Sequence, residues 1–303
     1  MLMLLDSAGL YFRAFHGVPE SMTAPDGTPV NAVRGFLEMT ATLVAVRGPS
    51  SLVACWDDDW RPAWRVELLA EYKAHRVAAD GTEDAPDALG RQVGIIADVL
   101  AALGIPRVGA ADYEADDVLG TLARRHADRG EAVEVVTGDR DLIQLVDDDL
   151  AIRVLYTGRG VRRLEVLDEA AVRSAYGVAP RQYADFAVLR GDPSDGLPGV
   201  PGIGAKTAAG LLTRFGDLDG ILAAVADGDH GIRPAVAAAV RERVDYLRRA
   251  DRVVRVADVA LPEVDARIRA VPADPERLDA LAERWGLSGP IGRLRAALAG
   301  AAG

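Results

Sequence analysis

Five acidic side chains in one short stretch could do chemistry together. Residues 111–141 read ADYEADDVLGTLARRHADRGEAVEVVTGDRD. Glu114, Asp116 and Asp117 open a helical pattern, and Asp139 and Asp141 follow a strand pattern. A helix of about four turns followed by a buried strand would bring the first acidic knot back to the second. Carboxylates crowded away from water must take up protons or bind cations. All-oxygen donors suit hard divalent ions such as Mg or Mn. A zinc set is not on offer, because Cys55 is the sole cysteine and the four histidines are scattered.

These acids need elements to position them. MLMLLD is an apolar run that stops at Asp6, SSLVACWD repeats the pattern and stops at Asp57, and EAVEVVTGD stops at Asp139. Each alone reads as a buried strand with an Asp at its end. Three strands presenting an Asp at one edge make Asp6 and Asp57 candidate ligands. Helical periodicity covers 31–46, 60–76 and 88–103, and turn residues cluster at 77–90, which reads as a mobile loop. A hairpin is expected around Gly158-Arg159-Gly160. The strand-helix-strand rhythm implies a mainly parallel sheet, with ligands beyond the carboxyl ends of its strands. From 168 onward the patterns are helical, so the chain divides into an α/β unit over 1–167 and a helical unit over 168–303. Two terminal helices belong to the latter, and 297–303 (ALAGAAG) reads as a frayed tail.

The helical half contains GDPSDGLPGVPGIGAKTAAGLL. Asp192 and Asp195 could be turn formers and helix caps. GVPGIGAKT is not a phosphate loop of the nucleotide-binding kind, since Ala205 stands where lysine is required and no strand precedes it. It reads instead as a tight hairpin between helices. Gly199, Gly202 and Gly204 would let the backbone approach a phosphate, and Lys206 and Thr207 add a charge and a hydroxyl. Such an element holds a nucleic-acid backbone without reading sequence.

The net charge of -11 argues against a generally basic nucleic-acid binder, though not against a local basic surface. Of 35 basic residues only Lys73 and Lys206 are lysine, which draws attention to both. The lack of a long apolar run or signal sequence leads us to expect a cytoplasmic protein without membrane contact.

Six stretches, LLDSAGLYFRAFHG, WDDDWRPAWR, EYKAHR, DYEADDVLGTLA, VVTGDRDLIQLV and GDPSDGLPGVPGIGAKTAAGLL, make the chain resemble the bacterial 5′-3′ exonuclease and flap endonuclease family. That family also supplies the N-terminal domain of bacterial DNA polymerase I, and this chain resembles a stand-alone member. The resemblance implies a PIN-like α/β domain with a helical arch around 60–95. A small helix-hairpin-helix (helix-three-turn-helix) element around 184–215 would follow. It implies a two-metal nuclease acting on duplex, nicked or 5′-flap DNA in replication and repair, expected to be a monomer. Asp6, Asp57, Glu114, Asp116 and Asp117 would surround a first Mg or Mn directly or through water, and Asp139, Asp141, Asp192 and Asp195 would hold a second. Lys73 and Arg76 would stand at the base of the arch as fixed positive charge. Tyr11, Phe12 and Arg13 would lie near the DNA, and a potassium ion would sit at the hairpin turn. Two alternatives share these parts: a non-catalytic DNA-structure binder that kept the fold, and a related ribonuclease.

Overall fold

The structure, a computed structural model, describes residues 1–302. Its centre is a six-stranded sheet of β1 (Leu2–Asp6), β2 (Ser51–Cys55), β3 (Arg107–Val108), β4 (Val133–Thr137), β5 (Ile152–Tyr156) and β6 (Glu165–Leu167), in the order β3-β2-β1-β4-β5-β6. All neighbours are parallel except β5 and β6, which form the expected antiparallel hairpin. Every residue of β1 and β4 is buried. Strands covered on both faces are mostly apolar, and the one acid inside β4, Glu134, is met by Arg47.

Alternate residues of each strand serve different cores. Met3, Leu5, Ala54, Val136 and Leu155 pack under α1 (Ser7–Gly17), α2 (Asn31–Arg47) and α4 (Asp87–Leu103). Leu4, Val53, Cys55, Val135 and Val154 face α5 (Ala115–Ala127) and the helical unit. The latter comprises α6 (Glu169–Tyr176), α7 (Tyr183–Arg190), α8 (Ala205–Phe215), α9 (Leu218–Ala226), α10 (Pro234–Glu242) and α11 (Val244–Val254). Its core is continuous with that sheet face.

Three expectations need correcting. The helix over 60–76 is realised only as α3 (Ala63–Leu68) and a 3-10 turn at Ala74–Arg76. The Arg61 guanidinium donates to the carbonyls of Ala70 and Tyr72, folding the chain back, and Lys73 takes a left-handed conformation (φ 48°) that no helix continues through. The terminal helices, α12 (Pro275–Arg284) and α13 (Ser288–Ala301), pack on α4 and α2, not on the helical unit. The returning chain reaches them by adding to the sheet edge, with Leu52 N–H donating to Ala266 and Ile268 N–H to Ser50. The tail expected to fray stays helical to Ala301. Leu294 and Leu298 hold it, because both are buried in the core that contains Phe36 and Leu37.

No described helix is long and apolar enough to cross a membrane. Leu294 has no exposed surface, so Leu294→Ala should cost about 2–5 kcal/mol in a urea melt. A loss below about 0.5 kcal/mol, the range of ordinary surface substitutions, would place α13 outside the core.

Candidate metal centre

Parallel pairing of β1 with β2 and with β4 delivers Asp6, Asp57 and Asp139 to one edge of the sheet. Asp6 ends β1 and caps α1, accepting from Gly9 N–H at 2.9 Å and from the Thr137 hydroxyl at 2.8 Å. Glycine at position 9 leaves the Asp6 carboxylate in place, since a Cβ would lie 2.6 Å from Asp6 Oδ2 and displace it. Asp57 follows β2 and accepts from Ala115 N–H at 2.6 Å, on the first turn of α5. Asp139 follows β4; its own N–H donates to Thr137 Oγ1, and its carboxylate accepts from Asp141 N–H. Two helix starts therefore face the acids, and helix N-termini favour negative charge.

A cleft of about 630 Å³ is lined by Asp6, Asp57, Glu114, Asp116 and Asp139, with Phe12, Lys73 and Arg76 on its walls. Burial pushes the acids' pKa values upward: Asp6 and Glu114 are raised, and Asp57 and Asp195 are raised to about 6. Asp116 is held well above the usual carboxylate range by burial, then by the charges of Asp139 and Asp6. Asp141 is likewise held well above that range by burial, then by Asp139, Asp195 and Asp192. Asp139 thus acts on both groups. Asp116 and Asp141 differ from their neighbours in having no hydrogen-bond donor on their carboxylates among the described residues. Crowded acids without donors, half-buried at Asp116 and buried at Asp141, take a proton or a cation, and the all-oxygen set fits a hard divalent ion. Among the described residues no three of the acids already close into a finished cage.

The cationic side chains come from the segment after α3. Lys73 N–H donates to Asp195 O at 3.0 Å, and Lys73 Nζ lies 3.0 Å from Glu114. Arg76 donates to Ser194 O at 2.6 Å and to Asp195 Oδ1 at 3.1 Å. Gly196 (φ 74°) admits this docking, because a Cβ there would be 2.3 Å from Glu71 O. The turn is closed internally by Asp192, which accepts from Ser194 N–H and from Arg190. Asp192 and Asp195 are accordingly both turn formers and members of the acidic group.

Asp117 and Tyr11 do not take the places expected of them. Asp117 is fully buried and turned away from the cleft, gripped by both guanidinium nitrogens of Arg65 at 2.7 and 2.8 Å and by two backbone N–H groups. With its oxygens engaged it is a structural acid and not a ligand. Tyr11 is buried against Trp56, 5.6 Å between ring centroids, so Phe12 is the ring that faces the cleft. Arg13 lines the same cleft and donates to Gly158 O. Three contributors escaped the sequence reading. Tyr72 donates its hydroxyl to Glu114, Thr137 joins Asp6 to Asp139, and Arg65 holds Asp117. Tyr72 adjoins Lys73 and Thr137 stands two before Asp139, so adjacency was the only available signal.

Farther along, the hairpin between α7 and α8 is pinned by buried Val200 and Ile203. Gly199 (φ 68°) lies so close to the Arg190–Gly191 backbone that a Cβ would be 2.5 Å from Gly191 N. Gly202 needs its φ of 78°. Gly204 has neither reason: its φ is -91° and a Cβ would meet nothing within 4 Å. Lys206 is exposed and Thr207 half-buried beside it, on the first turn of α8.

Because Asp57 and Asp195 are raised to about 6 from 3.8, the folded chain holds protons that the unfolded chain has released between about pH 4 and 6. Stability without cations therefore falls as pH rises through that window. Above it the ionised acids can hold a cation, so Mn²⁺ should raise the melting temperature more at about pH 8 than at about pH 5. Equal shifts at both pH values would remove these acids from the cation site.

Residues 1–177 match the family described as 5′-3′ exonuclease, N-terminal resolvase-like domain, and residues 178–276 match the 5′-3′ exonuclease, C-terminal SAM fold. A 5′-3′ exonuclease of Streptomyces coelicolor is 56% identical over 96% of this chain and 98% of its own length. One from Mycobacterium tuberculosis is 49% identical over 98% and 97%. DNA polymerase I of Mycobacterium tuberculosis is 39% identical over 92% of this chain, which spans 30% of the polymerase. In fold, the chain is similar to a bacteriophage T5 flap endonuclease solved with DNA and metal ions (TM-score 0.65, 17% identity, 99% and 98% coverage). It is also similar to the catalytic core of Rad2 in complex with DNA substrate (TM-score 0.60, 15% identity, 99% and 92% coverage). The family matches over residues 1–276, with 56% and 49% identity along nearly the full length of two such exonucleases, place this chain in the 5′-3′ exonuclease family.

Proposed function

We propose that the chain is a structure-selective nuclease that hydrolyses phosphodiester bonds at or near 5′ ends of duplex, nicked or 5′-flap DNA, using two divalent cations. The observation that carries this reading is the pair of donor-free carboxylates, half-buried Asp116 and buried Asp141, both pushed upward by the charge of Asp139. Asp6, Asp57, Glu114 and Asp116 would hold one cation, and Asp141, Asp192 and Asp195 the other, with Asp139 between them. Bound there, a cation pair supplies Lewis acidity, an activated water and charge to offset the crowded phosphorus.

The chain's own residues do the rest. Lys73 and Arg76 stand at the cleft with no counter-charge beyond the acids they touch. Cations loaded on Glu114 and Asp195 would compete for those acids and leave both side chains to the substrate phosphate. Phe12 offers a ring face at the cleft for a base beside the scissile bond. The segment 60–95, whose base docks on 192–196, would form the arch over a passing 5′ strand. Gly204 supports the hairpin as the duplex-holding element, because neither its backbone angle nor its packing requires glycine. A phosphate brought against the start of α8 would meet backbone N–H groups, Lys206 and Thr207, and a potassium ion could share the turn. An acidic protein can then hold an anion, since its negative charge is covered where contact is made. The products would carry 5′-phosphate and 3′-hydroxyl ends, and the roles in replication and repair are those the family implies.

A 5′-labelled double-flap substrate incubated with Mg²⁺ tests the reading; absence of any metal-dependent product would refute it. Asp139→Asn should lower kcat by more than about 100-fold, the upper cost of disturbing an outer partner of a metal ligand, while leaving DNA affinity near wild type. Full Mg-dependent activity of that variant would dismiss the two-cation assignment. Lys206→Ala should weaken duplex binding equally on all sequences and reduce the salt slope by about 1. An unchanged slope would remove the hairpin from the interface.

A further inference from the structure

We propose that Arg65 is a positioning residue for Glu114, and that with Asp117 it makes the placement of that acid depend on the docking of the chain leaving the helical unit. The inference rests on the cation-holding role of Glu114 given above. Arg65 lies on α3 and is 2% exposed, an unusual burial for an arginine. Its fork is used three ways. Two nitrogens meet the carboxylate of Asp117 at 2.7 and 2.8 Å, Nε donates to Val253 O on α11 at 2.9 Å, and Nη1 lies 3.6 Å from Glu114.

Asp117 completes the joint. One oxygen accepts from the N–H of Glu114 at 3.1 Å, and the other from the N–H of Ala257 at 2.7 Å. Both the backbone and the carboxylate of Glu114 are therefore held by groups that also hold residues 253–257. Tyr72 and Lys73 meet the same Glu114 oxygen, Oε2, that faces Arg65, at 2.9 and 3.0 Å. Arg65 also neutralises Asp117. Only a planar fork reaches three acceptors at once; a lysine at 65 would keep the charge and lose the geometry.

A merely structural ion pair would produce unfolding when broken, so the test separates stability from cation placement. Removing one partner of a buried pair strands the other charge, whereas neutralising both relieves it. Three variants, Arg65→Lys, Asp117→Asn and the double variant Arg65→Gln with Asp117→Asn, are compared with wild type and with Glu114→Gln as a benchmark. Each is studied below its own melting midpoint. Mn²⁺ affinity is measured by calorimetry without DNA, and cleavage is resolved into kcat and the apparent KM for Mg²⁺. The double variant should melt within a few degrees of wild type. It should still bind Mn²⁺ about 10–100-fold more weakly, as loss of a partner that orients a metal ligand does. Arg65→Lys should raise the apparent KM for Mg²⁺ by more than it lowers kcat. Wild-type Mn²⁺ affinity in the double variant, or an unchanged KM in Arg65→Lys, would overturn the proposal. A wild-type protein that binds no Mn²⁺ would instead overturn the cation site itself.

Discussion

Carboxylates repel one another most where water is excluded, and most of this molecule answers to that constraint. Asp6, Asp57 and Glu114 are each partly offset from within the fold. Asp6 accepts from Gly9 N–H and Thr137, Asp57 from Ala115 N–H, and Glu114 from Tyr72 and Lys73. Asp116 and Asp141 are left without such help, and the shared neighbour Asp139 raises both. What protein atoms do not offset, a proton or a cation must. The fold therefore stores repulsion at one edge of its sheet and leaves the relief to a ligand.

The same constraint explains why two structural units are needed. A sheet edge can present only as many acids as there are adjacent strands, here β1, β2 and β4, plus the helix start beside them. Asp192 and Asp195 come from the helical unit, brought in by a contact in which Lys73 and Arg76 bond to Asp195 and Ser194. The basic residues that would face the phosphate are thus also the clamp that joins the units. Asp185, deep in α7 and raised to about 6 by burial, meets Arg255 beside the same returning chain.

Much of this was legible in the residues. Apolar runs ended by Asp6, Asp57 and Asp139 predicted three strands and a shared edge, and the parallel pairing places them there. Such runs are legible because a strand buried on both faces tolerates few polar residues along it. The hairpin at 199–204 was legible because left-handed turns demand glycine at Gly199 and Gly202. Less legible was the segment 60–76, whose helical periodicity was overridden by Arg61 bonding back to Ala70 and Tyr72 and by the approach to Gly196.

The sequence by itself determined which residue types gather, the order of the strands along the chain and the glycines that the turns require, since these depend on local preference and period. Only the tertiary structure decided which of two adjacent residues faces the site. Asp116 and Asp117 are neighbours on one helix, about 100° apart around its axis, and that rotation sends one to the cleft and the other to Arg65. Tyr11 and Phe12 part in the same way, one against Trp56 and one towards the cleft. The destination of α12 and α13 was likewise out of reach of pattern alone. An amphipathic helix specifies that it has a buried face, but not which surface covers it. Here α2 and α4 cover it.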